Sequence, residues 1–101
     1  MDIVYLLQGL EFEWDSNKAQ SNIEKHGVTF EEATEVFFDP FYQTGDANPI
    51  NASSREQRAF LIGYSLKQRL LLVVYLERGL RTRIISARPA TRTERKIYEQ
   101  S

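Results

Sequence analysis

The chain is 101 residues long, enough for one domain, and a chain of that size buries roughly two-thirds of its unfolded surface in a single core. It has no cysteine, which excludes disulfides and Cys-ligated zinc and makes a reducing compartment, the cytoplasm, the expected address. The net charge of −1 conceals an asymmetry: residues 1–50 hold two basic and ten acidic side chains, and residues 51–101 hold eleven basic and four acidic. Either the fold presents opposed potentials, one for an anionic and one for a cationic partner, or the two halves interleave and neutralise each other.

Residues 3–7 are an apolar run far shorter than the roughly 18 residues that a membrane span needs. They lack the basic flank and cleavage site of a signal peptide, so no membrane partner is expected. The first nine residues read as an edge strand or as an extension ordered by an oligomer partner. Leu10, Phe12 and Trp14 alternate with Glu11 and Glu13, the period of a half-buried strand with Phe12 and Trp14 facing the core.

Asp15 then caps a helix to about His26, with Ala19 and Ile23 as a narrow apolar stripe and Gly27 placed to end it in a left-handed conformation. A second helix follows at once. Thr29 and Glu32 have capping-box spacing, Phe30, Ala33, Val36 and Phe37 carry the helical period, and Asp39 with Pro40 stops it. The polar stretch 43–57 reads as a long loop, of the kind that is functional or mobile.

Three closely spaced strands come next, at 59–65, 69–77 and 81–88, with Gly79 turning the chain between the last two. Residues 70–76 are apolar on both faces and suit the centre of an antiparallel meander. Pro89 interrupts the last strand, and Thr91 with Glu94 forms a capping box that opens a final helix. The predicted architecture is therefore α+β: an antiparallel β-sheet with two N-terminal helices and a C-terminal helix, in the order β-α-α-β-β-β-α.

The chemistry on offer is narrow. There is no Gly-rich nucleotide loop, no histidine cluster and no carboxylate set with metal-ligand spacing, so no cofactor or metal is expected. The strand-turn-helix junction at 81–98 gathers Arg81, Arg83, Arg88, Arg92, Arg95 and Lys96 beside a helix N-terminus, which suits a phosphate-bearing partner or is a solvated basic surface. Arginine, lysine, glutamate, histidine and tyrosine suffice for metal-independent RNA cleavage. That reaction needs a base for the 2′-hydroxyl, cations for the pentavalent phosphate and an acid for the leaving oxygen. Because the 2′-hydroxyl is the nucleophile, DNA is not a substrate by this route.

Several groups of residues carry a resemblance. Phe12, Glu13, Trp14 and Asp15 lead into Asn17, Lys18, Ala19 and Asn22. Lys25-His26-Gly27-Val28 and Phe30-Glu31-Glu32-Ala33 follow, then Asp39-Pro40, Arg58 and Ile62-Gly63. The segment Arg83-Ile-Ile-Ser-Ala-Arg88, with Ala90, Thr91, Glu94, Arg95 and Tyr98, completes the set. Together they resemble the BrnT toxins over residues 10–99.

The resemblance implies a RelE/ParE-like fold and the toxin of a bacterial type II toxin–antitoxin pair that cleaves RNA and inhibits translation. It also implies a BrnA-like ribbon-helix-helix antitoxin as partner. Operator DNA would be bound only through that antitoxin, and the assembly would be a dimer or a toxin–antitoxin heterotetramer. By position it carries over Lys25, His26, Glu56, Arg58, Arg83, Arg88 and Tyr98 as site residues, with Arg83 and Arg88 on the phosphate and Lys25, His26, Glu56 or Tyr98 moving protons.

Each of these has a plainer reading. Lys25 and His26 complement a helix C-terminus, Glu56 and Arg58 are a solvated pair, and Glu94 is a cap. The competing function is a non-catalytic module that clamps a small partner protein through its polarised charged surface. The sequence has no recognisable helix-turn-helix for binding DNA by itself.

Overall fold

The computed structural model describes residues 1–47 and 57–100. Strands β1 (Asp2–Leu7) and β2 (Leu10–Asp15) form a hairpin, followed by helices α1 (Ser16–His26) and α2 (Phe30–Glu35). A single 3-10 turn, Val36–Phe38, leads into β3 (Gln43–Asp46), β4 (Arg58–Tyr64), β5 (Leu70–Arg78), β6 (Arg81–Pro89) and α3 (Arg92–Glu99). The six strands make one sheet in the order β1-β2-β6-β5-β4-β3.

This departs from the predicted order in two ways, the hairpin ahead of the helices and the strand at 43–46. The two helices do not open the chain, because a hairpin precedes them, so the RelE-like order β-α-α-β-β-β-α is not matched. Residues 2–7 are a full strand, turned by Gln8 and Gly9, both with positive φ, the two-residue loop that matches strand twist. Residues 43–46 pair antiparallel with β4 despite their polar sequence. Pairing with a neighbouring edge, not alternation, makes them a strand.

The sheet is also mixed rather than antiparallel. β2 and β6 run parallel, joined at Phe12–Thr82 and Glu13–Arg83. Such a pair can be connected only by a long crossover, which α1, α2 and the intervening strands supply.

The local signals were otherwise read correctly. Asp15 accepts from the Lys18 amide at 3.0 Å, and Gly27 ends α1 with φ 66°. Thr29 accepts from the Glu32 amide, but the Glu32 carboxylate does not serve as a cap: it takes Ser65 and Arg69 instead. α2 is short, and its C-terminal end tightens into the 3-10 turn at Val36. Thr91 and Glu94 form the reciprocal capping box.

Two apolar layers flank β5. Phe12, Trp14, Val28, Phe30, Ala33, Val36, Leu61, Leu71, Val73, Ile84 and Ala87 form the main core under α1 and α2. Ile62, Leu70 and Leu72 form a smaller one on the opposite face, where Tyr64 of β4 and Tyr98 of α3 pack against it. Of the predicted stripe on α1, Ala19 packs against the main core, whereas Ile23 is exposed and Asn22 is the buried residue.

Asn22 completes the edge of β6 beyond the end of β2. Its carboxamide donates to the Ala87 and Val28 carbonyls and accepts from the Ala87 amide. A bulge helps: Val74 pairs with Ser86 and Tyr75 with Ile84, leaving Ile85 extra. Ile84 and Ala87, three residues apart, therefore both reach the main core.

Candidate functional site

The bulge in β6 sorts the predicted residues. Ile84 and Ala87 point to the main core, so Arg83 and Arg88 stand on the opposite face with Leu72 and Leu76, their register partners on β5. Arg58 pairs with the same Leu76 from β4. Arg58 and Arg83 thus flank one leucine across three strands, roughly 10 Å apart by the usual strand spacing. Tyr98 reaches this face from α3. Four predicted residues share it, and Glu56 lies outside the described residues.

Most of these groups are already engaged. Arg83 donates to Glu13 at 2.6 Å and to Asp2 at 3.2 Å. Arg88 makes a two-pronged contact with Glu94, 2.7 Å on each prong. Glu94 therefore has two tasks, capping α3 and holding Arg88, and the guanidinium keeps its carboxyl below the ordinary 4.5.

The Tyr98 hydroxyl donates to Asp39 at 2.7 Å, and its ring meets Tyr64 edge-on. Burial first, and the Asp39 carboxylate second, push the phenol up to about 12. A phenol so placed keeps its proton through the physiological range. Burial favours the neutral Asp39 carboxyl, but the Tyr64 and Phe41 amides and the Tyr98 hydroxyl outweigh it and hold the group below 3.8.

Lys25 and His26 sit elsewhere, in the last turn of α1 and exposed. They line a cleft of about 300 Å³ between α1 and β6, together with Lys18, Ser21, Asn22, Ile85 and Ser86. No carboxylate is among these residues. The cleft is open, with Lys18 and Lys25 on its rim, and it borders the arginine-bearing face because Ser86 shares the alternation of Arg88. An imidazole, an ammonium and a hydroxyl placed together can exchange protons and hold an anionic oxygen. Among the described residues, no group of three or more His, Cys, Asp or Glu is arranged to hold a metal ion.

Lys18, Ser21 and Ser86 also line the cleft and were not among the predicted site residues. The signal for the first two was present, since residues 18, 21 or 22, and 25 recur on one helical face. Ser86 lies within the motif at 83–88, but its direction depends on the bulge. Nor could sequence pair Glu13 with Arg83, 70 positions apart.

The predicted charge asymmetry resolves into pairs. Glu32 bonds Arg69, Glu11 meets Arg81, and Glu13 meets Arg78, Arg81 and Arg83. Acids of the first half thus meet cations of the second, the interleaved arrangement rather than two opposed surfaces.

Comparison with known proteins bears on this arrangement. Residues 14–94 match the family described as ribonuclease toxin, BrnT, of type II toxin–antitoxin systems. The 1.1 Å crystal structure of the Brucella abortus ribonuclease toxin BrnT superposes with a TM-score of 0.57 at 26% identity, covering 78% of this chain and 94% of that one. No curated protein gives a significant match. The helix-lined cleft and the arginines of β6 both lie inside the matched span, and on that match the chain belongs to the BrnT family of ribonuclease toxins.

Proposed function

We propose that this chain is a metal-independent endoribonuclease that inhibits translation, with its reaction centred on the cleft between α1 and β6. One observation supports this most directly: Lys18, Lys25 and His26 meet Ser86 with no carboxylate among the lining residues. The arginines of β6, by contrast, are each met by an acid.

In this reading His26 carries the proton. The imidazole takes it from the 2′-hydroxyl, the 2′-oxygen bonds to phosphorus and the bond to the 5′-oxygen breaks; that oxygen takes a proton from water, and the imidazolium returns its own to the hydroxide so formed. Lys25 and Lys18 stabilise the added charge on the non-bridging oxygens. Arg58 holds a flanking phosphate, while Arg83 and Arg88 stay with Glu13 and Glu94 beside it. Tyr98 keeps α3 in place through Asp39 rather than moving a proton, in accord with its raised pKa.

The toxin works in the cytoplasm and is neutralised by a BrnA-like ribbon-helix-helix antitoxin. The operon is repressed by the complex, which touches operator DNA through the antitoxin.

The test is cleavage of single-stranded RNA by the purified chain. His26→Ala should lower the rate by about 10²–10⁴-fold, the range for a general acid–base group. Lys25→Ala should lower it without changing the fold, and both variants should relieve growth arrest on induction. Wild-type rates in both variants would place the reaction elsewhere.

A further inference from the structure

The two ends of the sheet are built differently. β3 is four residues long, contains Asp46 and Gly45, and is the kind of short polar edge that resists pairing. β1 at the other end is six residues long and pairs with β2 without a bulge from Asp2–Asp15 to Leu7–Leu10. Between Ile3 and Leu7 it holds no charge and no proline, and Val4 and Leu6 are 50% and 66% exposed. From Ile3 to Leu7 no charge, proline or bulge guards the edge. It also precedes the residues 14–94 that match the family, so the family description does not account for it.

The hairpin fixes which backbone groups the edge offers. The Ser16 amide donates to the Met1 carbonyl, and the two-residue turn makes Leu7 and Leu10 a bonded pair, so odd-numbered residues of β1 point their backbone groups to β2. The N–H and C=O groups of Val4 and Leu6 face outward.

We propose that this edge pairs with the β1 strand of a second copy of the chain, antiparallel, about a two-fold axis at Tyr5. In that register Val4 and Leu6 exchange both backbone hydrogen bonds with Leu6 and Val4 of the partner subunit. Ile3 faces Leu7 of the partner subunit, and Tyr5 faces its own copy. Side chains directly opposite are then apolar on both faces, and no like charges meet, which is the self-complementarity a two-fold contact requires. Asp2, already bonded to Arg83, falls outside the apolar centre. The product is a twelve-stranded sheet with both arginine-bearing faces on the same side.

Sedimentation of the purified full chain, without antitoxin, should give twice the 11.8 kDa monomer mass. Leu6→Pro removes an outward amide without touching the β1–β2 ladder and should give a folded monomer. Should that variant unfold, Leu6→Lys, a change at an exposed side chain, should give the same monomer. Tyr5→Cys should oxidise to a covalent dimer, as the chain has no other cysteine, whereas Leu10→Cys should not. A monomeric wild type, including one whose edge is taken only by an antitoxin segment, overturns the proposal. So does a folded Leu6 variant that still dimerises, or a Tyr5→Cys protein that fails to cross-link.

Discussion

Asn22 is the residue on which the cleft depends mechanically. Its three hydrogen bonds tie α1 to Ala87 and to the loop carbonyl of Val28, and it is 6% exposed. Asn22→Ala would leave these backbone groups buried and unpaired, at a cost of about 2–4 kcal/mol. A lowered denaturation midpoint with unchanged slope would report that loss. Asn22→Asp keeps the acceptor for the Ala87 amide but turns a carboxylate toward two carbonyls, so it should be at least as destabilising. A midpoint unchanged in both would mean that water replaces the carboxamide.

The element most exposed to perturbation is α3. None of its residues is buried, and it is held by two polar clasps, Arg88–Glu94 and Asp39–Tyr98, with the edge-on Tyr64–Tyr98 contact. The carboxyls of Glu94, Asp39 and Glu32 are all held below their ordinary values of 4.5, 3.8 and 4.5. Their stabilisation is complete above those values and is lost as pH falls through the lower pKa of each folded group. Tyr98 acts in the opposite direction: its contribution is complete below 10.0 and is lost as pH rises towards about 12. Stability should therefore be flat between about pH 5 and 9 and decline on both sides. Tyr98→Phe should flatten the alkaline decline and cost about 1 kcal/mol at neutral pH. A steep alkaline decline that survives in Tyr98→Phe would assign it to another group.

Such elements were unevenly legible in the sequence. Helix ends could be read because caps are local: Asp15, Gly27, Thr91 and Glu94 all act within one turn. β1 was left open between strand and extension, because Val4 and Leu6 are apolar on its exposed face and blur the alternation. The parallel β2–β6 pair could not be read, since it joins Phe12 to Thr82 and arises only once the helices have returned the chain. The site divided in the same way. Lys25 and His26 were proposed from a motif, while the placing of Ser86 and of the acids that hold Arg83 depends on register.

Across the whole molecule, the ion pairs between the two halves decide how RNA is felt. The sequence offers eleven cations in its second half, yet Arg69, Arg78, Arg81, Arg83 and Arg88 each have an acidic neighbour. Binding of single-stranded RNA should therefore release few counterions. With two or three phosphates engaged at the cleft, the slope of log K against log salt should be about −2. A slope steeper than about −5 would mean that the arginines abandon their carboxylates for the substrate.

The central claim is that RNA is cut through its own 2′-hydroxyl at the α1–β6 cleft, and the ends of the products test it most directly. With excess chelator present, cleavage should persist, leaving a 2′,3′-cyclic phosphate and a 5′-hydroxyl, and one 2′-deoxy sugar at the scissile position should abolish it. Cleavage that stops with chelator and returns with a divalent cation, or that leaves 5′-phosphate ends on the deoxy-substituted strand, would contradict the account.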